Sequence, residues 1–265
     1  MNIFLKELKS HRKSLLFWCF GVFLMVLSGM NKYANLYSSQ QSMTDVMKDM
    51  PKSLQVVMGA GSLDLSKASG YYGMLFIYLL LMATIHAAML GAGIIAKEER
   101  DKTAEFLFVK PVSRTRVISA KLLAALFNLV VFNLATLTSS IALMAKYSKG
   151  ENVNRDMIIL MAGMFILQLL FMVMGSAISS LKRKSKKAPS LSAGVLLLTF
   201  ILSVAIDLNE RLKSLKYLSP FKYFEAKNVM YGGGLDPLFV VISLFLIVAF
   251  TSVTYIFYKK RDLTS

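Results

Sequence analysis

Side chains with the types and spacing to do chemistry gather between residues 97 and 121, in the run Lys97-Glu-Glu-Arg-Asp-Lys-Thr-Ala-Glu-Phe-Leu-Phe-Val-Lys-Pro-Val-Ser-Arg-Thr-Arg-Val-Ile-Ser-Ala-Lys121. Asp101 or Thr103 can cap a short helix there, with Glu98, Glu99, Asp101 and Glu105 around its start and Phe106 and Leu107 as an apolar tip. Pro111 stops it, because proline has no amide proton to donate and biases Lys110 away from the α region. Ser113 can then cap the next helix. Carboxylates beside exposed aromatics make a poor lipid surface and a good plug for a protein socket. A charged turn that only sets topology has the same composition, so composition alone leaves both readings open.

Catalytic chemistry finds no foothold. Gly59-Ala-Gly61 and Gly91-Ala-Gly93 lack the later glycine and lysine of a phosphate-binding loop, and neither H-E-x-x-H nor G-x-S-x-G occurs in the sequence. The single cysteine, Cys19, excludes an internal disulfide framework, and with two histidines, His11 and His86, no metal site is expected. The chain is therefore read as a non-enzyme whose energy for any work comes from a partner or an ion gradient.

Within the apolar stretches, His86 sits among Ala83, Ala87 and Gly91, whose spacing of four is that of close helix packing. It reads as a neutral histidine hydrogen-bonded across a packed seam, or as a residue of a substrate route. Met157, Met161, Met164, Gln168 and Met172 form one stripe along a helix. Such a stripe packs against neighbours or faces a cavity for an amphipathic or hydrophobic compound. If it lines a cavity, replacing Met161, Met164 and Met172 by leucine alters substrate range without harming assembly.

The elements that must position these residues are apolar helices. The composition is 55% hydrophobic before glycine is counted, against about 45–50% with glycine for an ordinary globular chain. Six charge-free runs, 15–30, 71–96, 122–145, 157–181, 188–206 and 237–258, hold 132 of the 265 residues. About 20 residues cross a hydrocarbon core as a helix, and the first run reaches that length by extending to 36. Runs this long without strand alternation cross as helices, not as a barrel. The expected fold is an all-α integral membrane protein forming one domain over 1–265. Its spans are expected at about 15–36, 71–96, 117–145, 157–181, 188–207 and 237–258, with an amphipathic interfacial helix at 2–14 and a short cytoplasmic coupling helix in the loop 97–116.

The net charge of +16 raises a nucleic-acid reading, which the placement of the charges removes. The alternating polar segments that include the N-terminus carry 19 Lys/Arg in 52 residues, and the other three carry 12 in 81. That bias puts both termini in the cytoplasm. The densest cluster, Lys182-Arg-Lys-Ser-Lys-Lys187, fits a turn touching anionic headgroups and has no stacking aromatic for a nucleic acid. Four of the six acids on the cytoplasmic side fall in 97–121, a local departure from the trend and the place where a partner is expected. In the last outer segment, Tyr217, Phe221, Tyr223 and Phe224 are expected in the interfacial belt, in a gate or a passive cap.

The residues Glu98-Glu99, Thr103, Glu105, Leu107, Pro111-Val-Ser-Arg114 and Lys121 resemble the E-E…T-x-E-x-L…P-V-S-R…K run of the permease subunits of type-2 ATP-binding-cassette (ABC) exporters. The basic start around Glu7, the Met50-Pro51 turn, Leu218-Ser-Pro-Phe-Lys-Tyr-Phe224 and Arg261-Asp-Leu263 extend the resemblance over the whole chain, while Lys102 replaces a glycine common in the family. The resemblance implies a permease of the bacterial cell membrane, paired with itself or a second permease and docked on two copies of a separate ATPase that binds ATP and Mg; this chain itself holds no cofactor. It further implies that Glu98, Glu99, Asp101, Thr103, Glu105, Phe106, Leu107, Pro111 and Arg114 contact that ATPase. Charge reversal at Glu98 and Glu99 should then uncouple transport from ATP hydrolysis. Membrane lipids are the other expected partner and nucleic acid is not one; the substrate is expected to be an amphipathic or hydrophobic compound such as a peptide. The competing readings are a gradient-driven carrier and a non-transporting scaffold or sensor.

Overall fold

Backbone groups in hydrocarbon find partners only within their own segment, so each long apolar run becomes a helix. The computed structural model describes residues 2–38, 50–59, 63–101, 112–148, 154–181, 187–230 and 233–260, and no strand occurs among them. In chain order the helices are α1 (Ile3–Ser38), α2 (Lys52–Val57), α3 (Ala68–Arg100), α4 (Arg114–Tyr147), α5 (Asn154–Leu181) and α6 (Ala188–Leu208). Two 3-10 segments, Glu210–Leu218 and Pro220–Lys222, then lead to α7 (Ala226–Met230) and α8 (Pro237–Lys260). Six of these, α1, α3, α4, α5, α6 and α8, are long and apolar enough to cross a membrane.

Residues 2–14 are not a separate helix lying across the end of the bundle; Ile3–Ser38 is one continuous element of 36 residues. No proline or glycine precedes Gly21 to break it. At about 1.5 Å per residue α1 measures about 54 Å, well over the about 30 Å of a hydrocarbon core, so it is longer than a crossing of that core needs. The end of the bundle holding Ile3, Arg100, Arg114 and Lys260 is called basal below, and the opposite end distal.

α3 and α5 are the most enclosed helices, whereas α1, α6 and α8 leave most of their length open. The α3–α5 approach is set by small residues. A Cβ on Gly91 would stand 2.0 Å from the Met172 carbonyl oxygen, and one on Gly175 would stand 2.3 Å from that of Ala88. The Ser176 hydroxyl closes the seam by donating to the Gly91 carbonyl at 3.1 Å. Large apolar side chains cover the open faces, among them Phe17 and Phe20 of α1, Leu198 and Ile201 of α6, and Phe245 of α8.

α4 starts where the sequence places a cap: the Ser113 hydroxyl accepts from the Arg116 amide at 3.3 Å. Ser113→Ala should cost about 1 kcal/mol, read as a lower melting temperature of the purified chain in detergent.

Candidate functional site

Three helices meet at the basal end through buried charges. Glu7 of α1, only 2% exposed, accepts from Lys97 Nζ of α3 at 2.9 Å. The next residue of α3, Glu98, accepts from Lys121 Nζ of α4, and that ammonium also donates to the Ile94 carbonyl. Lys121 is completely buried. Consecutive helical residues project about 100° apart, so Lys97 reaches one neighbour and Glu98 the other. The basic groups also lie against the last turns of α3, where the negative end of the helix dipole favours them. His11 stands one turn along α1 from Glu7, its Nε2 3.7 Å from the carboxylate.

A second set of contacts joins α4 to α8. Arg114 Nη1 donates to the Lys259 carbonyl at 2.9 Å, and the Ser119 and Tyr255 hydroxyls are 2.7 Å apart. The bonded ladder Glu7–Lys97, Glu98–Lys121, Arg114–Lys259 thus links α1, α3, α4 and α8 around the two ends of the loop 97–116.

The expected coupling residues fall into three groups. Glu98 is buried and its carboxylate is held by Lys121. Glu99 is half-buried, Asp101 is exposed and pairs with Arg100 at 3.0 Å, and Arg114 reaches α8 as above. Thr103, Glu105, Phe106, Leu107 and Pro111 lie outside the described residues. The reading of single segments passed over Lys97 and Lys121 as site residues. Lys121 was visible as the last residue of the charged run quoted above and as a lysine one residue before an apolar run, and snorkelling at a helix end explains the second equally well.

The residues read as a substrate route sit in the core. His86 is buried between the rings of Trp18 at 5.1 Å and Phe132 at 5.0 Å, so it faces α1 and α4. The packed seam is formed instead by Gly91, about 140° around the helix from His86. Met157, Met161, Met164, Gln168 and Met172 are all buried, and Asn133 Nδ2 of α4 donates at 3.2 Å to both Gln168 Oε1 and the Met161 carbonyl. His86 Nδ1 and Gln168 Nε2 are buried without a hydrogen-bond partner among the described residues. Because the methionine stripe is enclosed, changing Met161, Met164 and Met172 to leucine should cost less than about 1.5 kcal/mol per site, checked by melting temperature.

At the distal end the aromatics are inside. Phe221, Tyr223 and Phe224 are buried, and only Tyr217 of the four is exposed as an interfacial belt requires. The 3-10 turns fold this segment back over the helix ends, where Tyr223 stacks on Phe239 at 4.7 Å and Phe221 meets Phe171 and Phe200 at 5.4 and 5.2 Å. Lys222 anchors the fold-back by donating to both Asp207 and Glu225.

A family model described as ABC-2 family transporter protein matches residues 1–263. No curated protein matches the chain.

Proposed function

Since the chain belongs to the ABC-2 family of transporter membrane subunits, we propose that this permease works as an exporter in which two permease copies form the pathway and a separate ATPase pair supplies the energy. ATP and Mg bind to that partner. The charge bias of the loops supports a cell-membrane orientation with both termini and the basal end in the cytoplasm.

One observation carries this reading: the two ends of the loop 97–116 are tied by buried ion pairs and hydrogen bonds into α1, α3, α4 and α8. A displacement imposed on the loop by a closing ATPase pair is then delivered to four helices together, which is what rigid-body switching between two access states requires. Glu99, Asp101 and Arg114, with Thr103, Glu105, Phe106, Leu107 and Pro111, are the proposed contact set. Glu98 and Lys121 position it from behind. The cargo proposed is an amphipathic or hydrophobic compound such as a peptide; His86 and Gln168, buried in the bundle, do not line an open route for it.

The test is co-purification of the permease with an ATPase encoded beside it, followed by ATPase stimulation. Glu99→Lys with Asp101→Lys should leave the protein inserted and folded while cutting stimulation about tenfold, the loss expected when charged interface contacts worth about 1.4 kcal/mol are removed. Full stimulation in that variant removes the contact assignment, and failure to find any ATPase partner removes the exporter reading.

A further inference from the structure

His11 stands on α1 four residues ahead of the charge-free run that begins at Leu15, so it belongs to the basal joint and not to the span. Its Nε2 is buried without a hydrogen-bond partner among the described residues and lies 3.7 Å from Glu7 Oε2. That same oxygen accepts from Lys97 Nζ at 2.9 Å. One carboxylate oxygen therefore faces two nitrogen groups, one on its own helix and one on α3. The charged groups around the ring are Glu7 on α1, Lys97 and Arg100 on α3, and Lys121 on α4. Glu98, the other carboxylate of the joint, is bonded to Lys121. Burial, and then three cations set against the single carboxylate of Glu7, hold the imidazole below the usual histidine range, so it is neutral at neutral pH.

We propose that His11 is a proton sensor that releases α3 from α1 when the basal side turns acidic. A proton on Nε2 makes the ring both a donor and a cation. The ring then closes by about 1 Å to bond Glu7, the length of a charge-assisted hydrogen bond being about 2.8 Å. As a cation it also repels Lys97. That ammonium has a way out, since the Lys97 side chain is 15% exposed against 3% for Glu7. Protonation thus exchanges a tie between two helices for a bond within one helix, and the end of α3 that leads into the loop 97–116 loses its hold on α1. Glu98 and Lys121 keep α3 joined to α4. Because the folded state holds His11 below its ordinary value of 6.5, the stability of the joint is complete above that value and is lost as pH falls below it. The sidedness, a response to cytoplasmic pH, rests on the orientation proposed above; the switch does not, and it is tested without an ATPase.

The full-length chain with Cys19→Ser carries nitroxide labels at Ser10→Cys and Asp101→Cys, both exposed positions, and is placed in lipid nanodiscs. Double electron-electron resonance reads the distance from α1 to α3 at about pH 7.5 and about pH 5.5, on either side of the histidine range. The population at longer distance should rise about tenfold on acidification, the scale of one lost charge-assisted hydrogen bond. The chain has two histidines, so removing either leaves one ring signal in NMR, and the His11 titration should share its midpoint with the opening. His11→Gln should stay closed at both pH values, and Lys97→Met should be open at both. The proposal is overturned if the parent does not open on acidification, if His11→Gln opens as the parent does, or if Lys97→Met is closed at neutral pH. Should His11→Gln fail to fold, the shared midpoint and Lys97→Met decide the matter.

Discussion

Glu98→Ala should destabilise this permease by about 3–5 kcal/mol, the cost of leaving one member of a buried ion pair without its partner. Lys121 is fully buried, and its ammonium has the Glu98 carboxylate and the Ile94 carbonyl as its bonded acceptors. Removing the carboxylate leaves a charge in a region that water does not reach. The second half of the expectation is rescue: Glu98→Ala with Lys121→Met removes both charges and should regain most of the loss, because replacing a whole buried pair by apolar groups is often neutral. Glu98→Gln keeps an acceptor and should fall between. Melting temperatures of the purified variants in detergent, taken as a double-mutant cycle, measure the coupling. A Glu98→Ala protein as stable as the parent would show that the carboxylate does not hold Lys121. The same cycle separates positioning from contact, since a residue that only touches a partner subunit gives no coupling energy in the isolated chain.

Gly91→Ala is expected to cost about 3 kcal/mol, at the upper end of overpacking changes. The added Cβ would meet the Met172 carbonyl oxygen at 2.0 Å, far inside the roughly 3.5 Å at which heavy atoms rest against one another. The obstacle is backbone, so no side chain can swing aside; α3 and α5 must separate, and the Ser176 bond to the Gly91 carbonyl lengthens with them. Gly175→Ala should behave alike, with the Ala88 carbonyl at 2.3 Å from its Cβ. Gly194→Ala on α6 is the internal comparison, because nothing lies within 4 Å of its Cβ and the change should be tolerated. Monodisperse elution and melting temperature read all three. Equal stability of Gly91→Ala and Gly194→Ala would mean that the α3–α5 seam is looser than the structure has it.

Legibility in the sequence varied with the kind of interaction. Charge-free runs read directly as spans, and the Ser113 cap was visible because capping joins residues three apart. The small residues around Gly91 were visible as packing residues, but His86 was assigned to the same seam when it lies on another face, between Trp18 and Phe132. Spacing along one helix tells which residues share a face; it does not tell which neighbour that face meets. The distal aromatics show the limit from another side. A polar segment rich in lysine and aromatics fits an interfacial belt by composition, yet the 3-10 turns and the Lys222 bridge carry Phe221, Tyr223 and Phe224 into the core.

By itself the sequence determined that this chain is helical and membrane-spanning, that six apolar runs become long helices, and that four of its acids gather in the loop after the second of them. Those properties follow from local composition and from periodicities of a few residues, which one segment carries alone. Only the tertiary structure decided that Glu98 faces inward to Lys121 and that Glu7 holds Lys97, pairs separated by 23 and 90 residues in the chain. A carboxylate two residues from a helix end, as Glu98 is, reads as surface until a second helix brings an ammonium to it. Burial and ion pairing belong to two segments at once, so the difference between an acid that greets a partner and one that holds the bundle together exists only after the helices have met.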